Sequence, residues 1–96
     1  MYEVSSNLYL KIADALVAAI GSRDYFSGVI YHTEGDTECK LCVTLFIERA
    51  RHADKESCFP PICDLIPVWW EFSTVAGSIE LLNDFSFSEL KAIVLN

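Results

Sequence analysis

Positive charge is scarce in this sequence of 96 residues, in which seven Lys and Arg stand against fourteen Asp and Glu. The formal net charge is −7. Binding to nucleic acid or to an anionic membrane surface depends on concentrated positive charge, so we expect neither as a partner. The same imbalance favours solubility and suits a basic protein partner.

The sequence also lacks a long uninterrupted apolar run. The apolar stretch Leu8–Ile20 is broken by Lys11 and Asp14, and its longest clean run is Ala15–Ile20, far too short to span a bilayer. A secretory signal needs a basic start and an unbroken apolar segment, whereas Glu3 precedes this stretch. We therefore predict a cytoplasmic protein.

Residues typical of catalysis are few. The four glycines are scattered at positions 21, 28, 35 and 77, so no phosphate-binding loop is present. His32 ends a predicted strand and His52 lies in a polar connection, and neither forms a nucleophile pair with a Ser or Cys and a third group. Glu71, in mid-strand, is most simply a polar residue on the wet face of a sheet. We predict no enzymatic activity and no cofactor.

Apolar residues, in contrast, are plentiful. Hydrophobic residues make up 52% and aromatic residues 12% of the chain, which is enough for one well-formed core. A length of 96 residues is typical of one domain. We therefore predict a single globular domain over residues 1–96.

An amphipathic helix is predicted near the start of the chain. Ser5 or Ser6 can cap its amino terminus, because a serine hydroxyl accepts hydrogen bonds from free amides of the first turn. Gly21 is well placed to end the helix in a left-handed conformation. The apolar residues recur at helical spacing: Leu8, Ile12, Ala15, Leu16, Ala19 and Ile20.

A β-hairpin follows this helix. Tyr25–Glu34 and Thr37–Arg49 are rich in aromatic and β-branched residues, and the Gly-Asp dipeptide between them is a two-residue hairpin signal. The loop length fixes the register, which assigns residues to two faces. The predicted core face comprises Phe26, Gly28, Ile30, Cys39, Leu41, Val43, Leu45 and Ile47. The opposite, outer face comprises Tyr25, Val29, Tyr31, Lys40, Cys42 and Phe46.

A third strand is predicted at Asp64–Thr74, after the polar connection Ala50–Pro61. Simple alternation places one set of residues in the core: Ile66, Val68, Trp70 and Phe72. It places another set on the outer face: Leu65, Pro67, Trp69 and Glu71. Pro67 cannot donate a ladder hydrogen bond, which indicates an edge position, a bulge or a nitrogen turned away from the neighbouring strand.

The remaining residues predict a short strand and a helix. A turn at Ala76-Gly77 leads into a fourth strand, Ser78–Leu82, with Phe72 opposite Leu81 and Thr74 opposite Ile79. A short helix that starts near Ser78 is the alternative. Ser86 or Ser88 then caps a last helix, whose apolar face holds Phe87, Leu90 and Val94.

The predicted fold class is therefore α+β. It consists of an N-terminal helix, an antiparallel meander of three or four strands and a C-terminal helix. At least one helix is expected to pack on the core face of the third strand.

The four cysteines form two closely spaced pairs. Cys39 and Cys42 make a C-x2-C, and Cys58 and Cys63 make a C-x4-C, which together outline a structural zinc site. Against zinc, Cys39 and Cys42 lie in a continuous strand, so their side chains point to opposite faces. We favour reduced thiols, with Cys39 in the core; a Cys58–Cys63 disulfide would suit an oxidising compartment.

The outer sheet face is the strongest candidate for function. It is unusually aromatic for a solvated surface, which implies that something covers it. Either one of the helices covers it, or it is an interface, since Tyr and Trp dominate interface energetics. The candidate partner-binding residues combine this face with the acidic C-terminal half: Tyr25, Tyr31, Phe46, Trp69, Glu71, Glu80, Asp84 and Glu89.

In size and charge the chain resembles small acidic α+β proteins among toxin-immunity and anti-defence inhibitors, a resemblance of general character rather than of motifs. We predict a non-enzymatic protein-binding module. Its partner would be a basic protein, such as a nuclease, or a second copy of the chain in a homodimer. A small structural domain with a four-cysteine zinc site is the alternative.

Overall fold

The computed structural model describes residues 1–50 and 61–95 and has the predicted α+β architecture. Its strands form one antiparallel sheet in the order β1-β2-β3-β4, so the meander has four strands. The elements are α1 (Ser6–Ile20), β1 (Tyr25–Glu34), β2 (Thr37–Arg49), β3 (Ile62–Ala76), β4 (Ile79–Leu81) and α2 (Phe87–Val94). Both hairpin strands have the predicted bounds, whereas β3 is longer than predicted at each end.

Helix α1 begins and ends where its sequence predicts. Ser5 Oγ accepts a hydrogen bond from the amide of Leu8 at 3.1 Å, and Gly21 ends the helix with a φ of 56°. The buried face differs slightly from the prediction, because Tyr9 and Ala13 belong to it and Ala15 is exposed. Two adjacent stripes of i, i+4 spacing, rather than one, therefore face the sheet.

The β1–β2 hairpin has the predicted register. Phe26 lies opposite Leu45 and Ile30 opposite Leu41, and these side chains are buried. Gly35 has a φ of 61° and no non-glycine residue among those described has a positive φ, which identifies a type II′ turn. The loop length alone therefore set the two faces of the hairpin.

Strand β3 contains a bulge that the alternation pattern does not reveal. Thr44 pairs with Trp69 but Leu45 pairs with Pro67, so Val68 is an extra residue. The bulge reverses the alternation on its amino-terminal side. Leu65 is 0% exposed and lies in the core, whereas Ile66 is 45% and Val68 63% exposed.

The core assignment of Ile66 and Val68 and the outer assignment of Leu65 are therefore wrong. Phe72, beyond the bulge, is buried as predicted. Trp70 lies on the predicted side but remains 38% exposed. Two of the three interpretations of Pro67 are realised. This proline immediately precedes the extra residue of the bulge, and it lies outside the stretch of β3 that pairs with β4, so it is also at an edge.

Strand β4 forms, but in a different register. The turn residues are Gly77 and Ser78, one position later than predicted, so Ala76 pairs with Ile79 and Thr74 with Leu81. Glycine at the first turn position supplies the positive φ of a type II′ turn, here 65°. Ile79 is exposed. The turn follows the position of the glycine, and the alternative of a helix near Ser78 is not realised.

Both helices lie on the same side of the sheet. Helix α2 follows Ser86 and buries Phe87 and Leu90 in the same core cluster as α1 and the sheet. The hydroxyl of Tyr9 in α1 accepts a hydrogen bond from the amide of Ser86 at 3.0 Å. Lys91 Nζ in α2 lies 2.7 Å from Asp64 Oδ1 in β3. The domain thus has two layers, with helices over one face of the sheet.

Candidate functional site: the outer face of the sheet

The face of the sheet opposite the helices is the outer face predicted from the sequence. Of the two alternatives for this face, cover by a helix is not realised in the part of the chain that the structure describes. Cross-strand pairing arranges its side chains in rows that run across β1, β2 and β3. The rows are Tyr25, Phe46 and Ile66; Ser27, Thr44 and Trp69; Val29, Cys42 and Glu71; Tyr31, Lys40 and Ser73.

One end of this face is an apolar cluster. Tyr25, Phe46, Ile66 and Trp69 are each 45–52% exposed, although they are large apolar side chains. The rings of Tyr25 and Phe46 contact each other, with centroids 5.2 Å apart. The two rings therefore form one continuous apolar surface across β1 and β2.

The other end of the face is more polar. A groove of about 280 Å³ is lined by Tyr31, Glu38, Lys40, Ser73 and Val75. Between the two ends, Ser27 Oγ and Thr44 Oγ1 are hydrogen-bonded at 2.8 Å. The outer face therefore combines an apolar cluster with a polar groove, which is the composition of many interfaces with an apolar centre and a polar rim.

Acidic groups outnumber basic ones on this face. Glu38 and Glu71 project from β2 and β3, and Glu80 shares the face because it pairs with Val75. Lys40 is the one basic side chain that the described strands place here. Arg49, at the end of β2, instead donates hydrogen bonds to the carbonyls of Gly21 and Arg23 in the α1–β1 connection. Its Nε lies 3.3 Å from Asp24 Oδ1.

The structure brings together six of the eight residues selected from the sequence. Tyr25, Tyr31, Phe46, Trp69, Glu71 and Glu80 lie on the outer face. Asp84 and Glu89 do not. Asp84 Oδ1 accepts a hydrogen bond from the amide of Val4 at 2.7 Å. Glu89 lies in the first turn of α2, where a carboxylate complements the helix dipole.

Ile66 belongs to the apolar cluster, although alternation in the sequence had placed it in the core. Its exposure results from the bulge, since unbroken alternation would turn its side chain toward the helices. Pro67 is the feature of the sequence that indicates this bulge. A proline inside a strand favours a bulge, and a bulge exchanges the faces of all residues before it.

The cysteines lie apart from one another where the structure describes them. Cys39 is buried and Cys42 lies on the outer face, so the two point in opposite directions as predicted. Cys63 is exposed. Cys58 lies outside the described residues, so the zinc site and the Cys58–Cys63 disulfide stay predictions. Within residues 1–50 and 61–95, no three potential metal ligands cluster.

The titratable groups on the helical side of the sheet make contacts that stabilise the fold. Tyr2 Oη donates a hydrogen bond to Glu34 Oε1 at 2.7 Å, and burial together with this bond raises the pKa of Tyr2. Burial also raises the pKa of the Cys39 thiol. A raised pKa keeps the thiol protonated, whereas a nucleophilic cysteine needs a lowered one. His32 faces Cys39 across the hairpin, and His52 lies outside the described residues.

No family model, no curated protein and no solved structure matches the chain. None of the helices described here is both long enough and apolar enough to cross a bilayer. Arguments about function therefore start from the outer face itself.

Proposed function

We propose that the protein is a non-enzymatic protein-binding module whose contact surface is the outer face of the sheet. The observation that supports this most directly is the half-exposed cluster of Tyr25, Phe46, Ile66 and Trp69 on the face opposite both helices. Tyr and Trp are among the residue types that dominate interface energetics. Leaving such a cluster in water has a free-energy cost that a partner would remove.

The charges around the cluster favour a basic partner. Glu71 lies in the row next to Trp69, Glu38 and Glu80 lie at the groove end of the same face, and the whole chain has a formal net charge of −7. Lys and Arg side chains on a partner would find complementary charge at the rim while apolar groups cover the rings. An inhibitor or immunity-type protein that covers the basic surface of an enzyme such as a nuclease would have these properties.

Substitution of Trp69 tests the apolar part of this proposal. We expect Trp69→Ala to weaken capture of a partner from the native host by at least about tenfold, as for a typical hot-spot residue. Leu10→Ala is the matched control, because Leu10 is 51% exposed on α1, on the other side of the molecule, and should not change capture. Equal capture of the partner by the wild type and by Trp69→Ala would contradict the proposal that the outer face is the contact surface.

Neutralisation of Glu71 tests the electrostatic part. We expect Glu71→Gln to slow association and to reduce its dependence on salt, because rim charges act mainly on the association rate. Glu89→Gln removes an equal charge from the helical side and should have a smaller effect on that rate. A partner that binds with no salt dependence would contradict the choice of a basic protein.

A further inference from the structure

The two edges of the sheet differ in how well they are protected against pairing with another strand. At the β3 edge, β4 covers Thr74–Ala76, and Asn83 Nδ2 donates to the carbonyl of Phe72 at 3.2 Å. Further along, Pro67 has no amide to offer and Val68 forms a bulge. Prolines, bulges and covered carbonyls are the devices by which proteins prevent edge-to-edge association.

Strand β1 has none of these devices. It is the other edge of the sheet, it is 10 residues long, and it contains no proline, lysine or arginine. Its pairing with β2 runs without a register shift, so it has no bulge. None of the described backbone hydrogen bonds outside the helices and strand ladders involves residues 25–34.

The direction of the free backbone groups in β1 follows from its ladder. The amide of Ile47 donates to the carbonyl of Asp24 at 2.8 Å, so the backbone groups of residue 24 face β2. Backbone groups alternate in direction along an antiparallel strand. Residues 25, 27, 29, 31 and 33 therefore direct their N–H and C=O groups away from the sheet, as a row of donors and acceptors that have no partner within residues 1–50 and 61–95.

We propose that β1 pairs antiparallel with β1 of a second copy of the chain, about a two-fold axis at Val29. The two sheets would then join into one of eight strands, and the two outer faces would become continuous. This inference extends the surface on which the proposed function rests, but its own basis is the edge rather than the face. With the axis at Val29, every hydrogen-bonded pair consists of two residues whose N–H and C=O groups point away from β2.

Charge and side-chain size make the second copy a suitable occupant. Residues 25–33 contain no Asp, Glu, Lys or Arg, so the centre of the junction brings no charged side chains together. Only at its two ends does Glu34 lie opposite an acidic residue, Asp24, whose charge is already paired with Arg49. In this register Tyr31 lies opposite Ser27, and Tyr25 opposite Thr33. Tyr31 is 72% exposed in the single chain and would pack over a small residue at the junction.

The mass in solution gives the first test. Sedimentation velocity over a range of concentrations should show a species of twice the 10.8 kDa chain mass. Val29→Pro should shift this species to the monomer, because it removes an outward N–H without removing a hydrogen bond to β2. Val29→Lys, which places two like charges opposite each other on the axis, should do the same if the proline variant does not fold. A wild type that is monomeric up to its solubility limit would overturn the proposal.

Cross-linking tests the register. In a background with Cys42, Cys58 and Cys63 replaced by serine, Val29→Cys should form a disulfide-linked dimer under mild oxidation, since only a residue on the axis faces itself. Thr33→Cys is the matched control and should not cross-link. Efficient linkage through Thr33→Cys and not Val29→Cys, or a dimer that persists in Val29→Pro, would contradict this interface.

The failure of this proposal and that of the proposed function can be told apart. Trp69→Ala should leave the mass unchanged while it weakens capture of a partner, because Trp69 lies two strands away from β1. Loss of the dimer in Trp69→Ala would instead indicate that the copies associate face to face, which would contradict pairing through the edge. A chain that captures a partner but never dimerises would refute the edge proposal alone.

Discussion

Trp69 and Trp70 are neighbours in β3, and they belong to opposite sides of the sheet. The ring centroid of Trp70 lies 5.4 Å from that of Phe85 and 6.1 Å from that of Phe87. Trp69 shares the outer face with Phe46 and Ile66 and is 52% exposed, against 38% for Trp70. Two identical side chains thus have different environments because the helices close only one face.

The helical side is closed by a group of stacked rings. Phe85, in the segment before α2, lies parallel to Phe72 with a centroid distance of 4.2 Å, and 5.6 Å from Tyr9 of α1. This ring therefore joins β3 to the first helix. The outer face has comparable aromatic content but no such covering group among the described residues. Apolar content alone does not show which face of a sheet is the core.

The largest effect that separates the two faces should come from the pair before the bulge. Leu65→Ala should lower the free energy of unfolding by about 2–5 kcal/mol, because it empties a fully buried site. Ile66→Ala, next to it and 45% exposed, should lower it by less than about 1 kcal/mol. Urea denaturation measures both, and the reverse order would mean that the strand alternates without a bulge.

The two tryptophans give the next largest difference. Trp70→Ala should cost about 2 kcal/mol of unfolding free energy, less than for a fully buried tryptophan, since the lost ring contacts are partly open to solvent. Trp69→Ala should cost under about 1 kcal/mol and act mainly on binding. Thermal melts of both variants measure the difference. Equal losses would show that the outer face is covered within the monomer.

The smallest effect concerns the ion pair between α2 and β3. The hydrogen bond from Lys91 lowers the pKa of the Asp64 carboxyl. A lowered folded pKa means that this stabilisation is present above the unfolded pKa, about 3.9, and is lost as pH falls through the folded value. Asp64→Asn should therefore be less stable than the wild type at neutral pH, by a difference that disappears in acid.

A double-mutant cycle controls this pH prediction. Lys91→Met should remove the same stabilisation, and the double variant should lose little more than either single variant. Additive losses would show that the two groups do not act as a pair. The effect is expected to be small because exposed ion pairs are screened by solvent.

Several features of the fold were determined by the sequence over short ranges. Ser5 and Gly21 define the ends of α1 through one hydroxyl and one positive φ. The two-residue loop at Gly35 fixes the hairpin register and hence both of its faces. These features depend on residues within a few positions of one another, so local stereochemistry is enough to predict them.

Other features were decided only by the tertiary structure. The bulge at Val68 moved Leu65 into the core and Ile66 onto the outer face, because one extra residue reverses a period of two. The placement of α2 beside α1 left Trp69 uncovered by the described residues, and it results from contacts of Tyr9 with residues more than 70 positions away. The sequence by itself determined which residues form each element; packing between distant segments decided which aromatic side chains became core and which became surface.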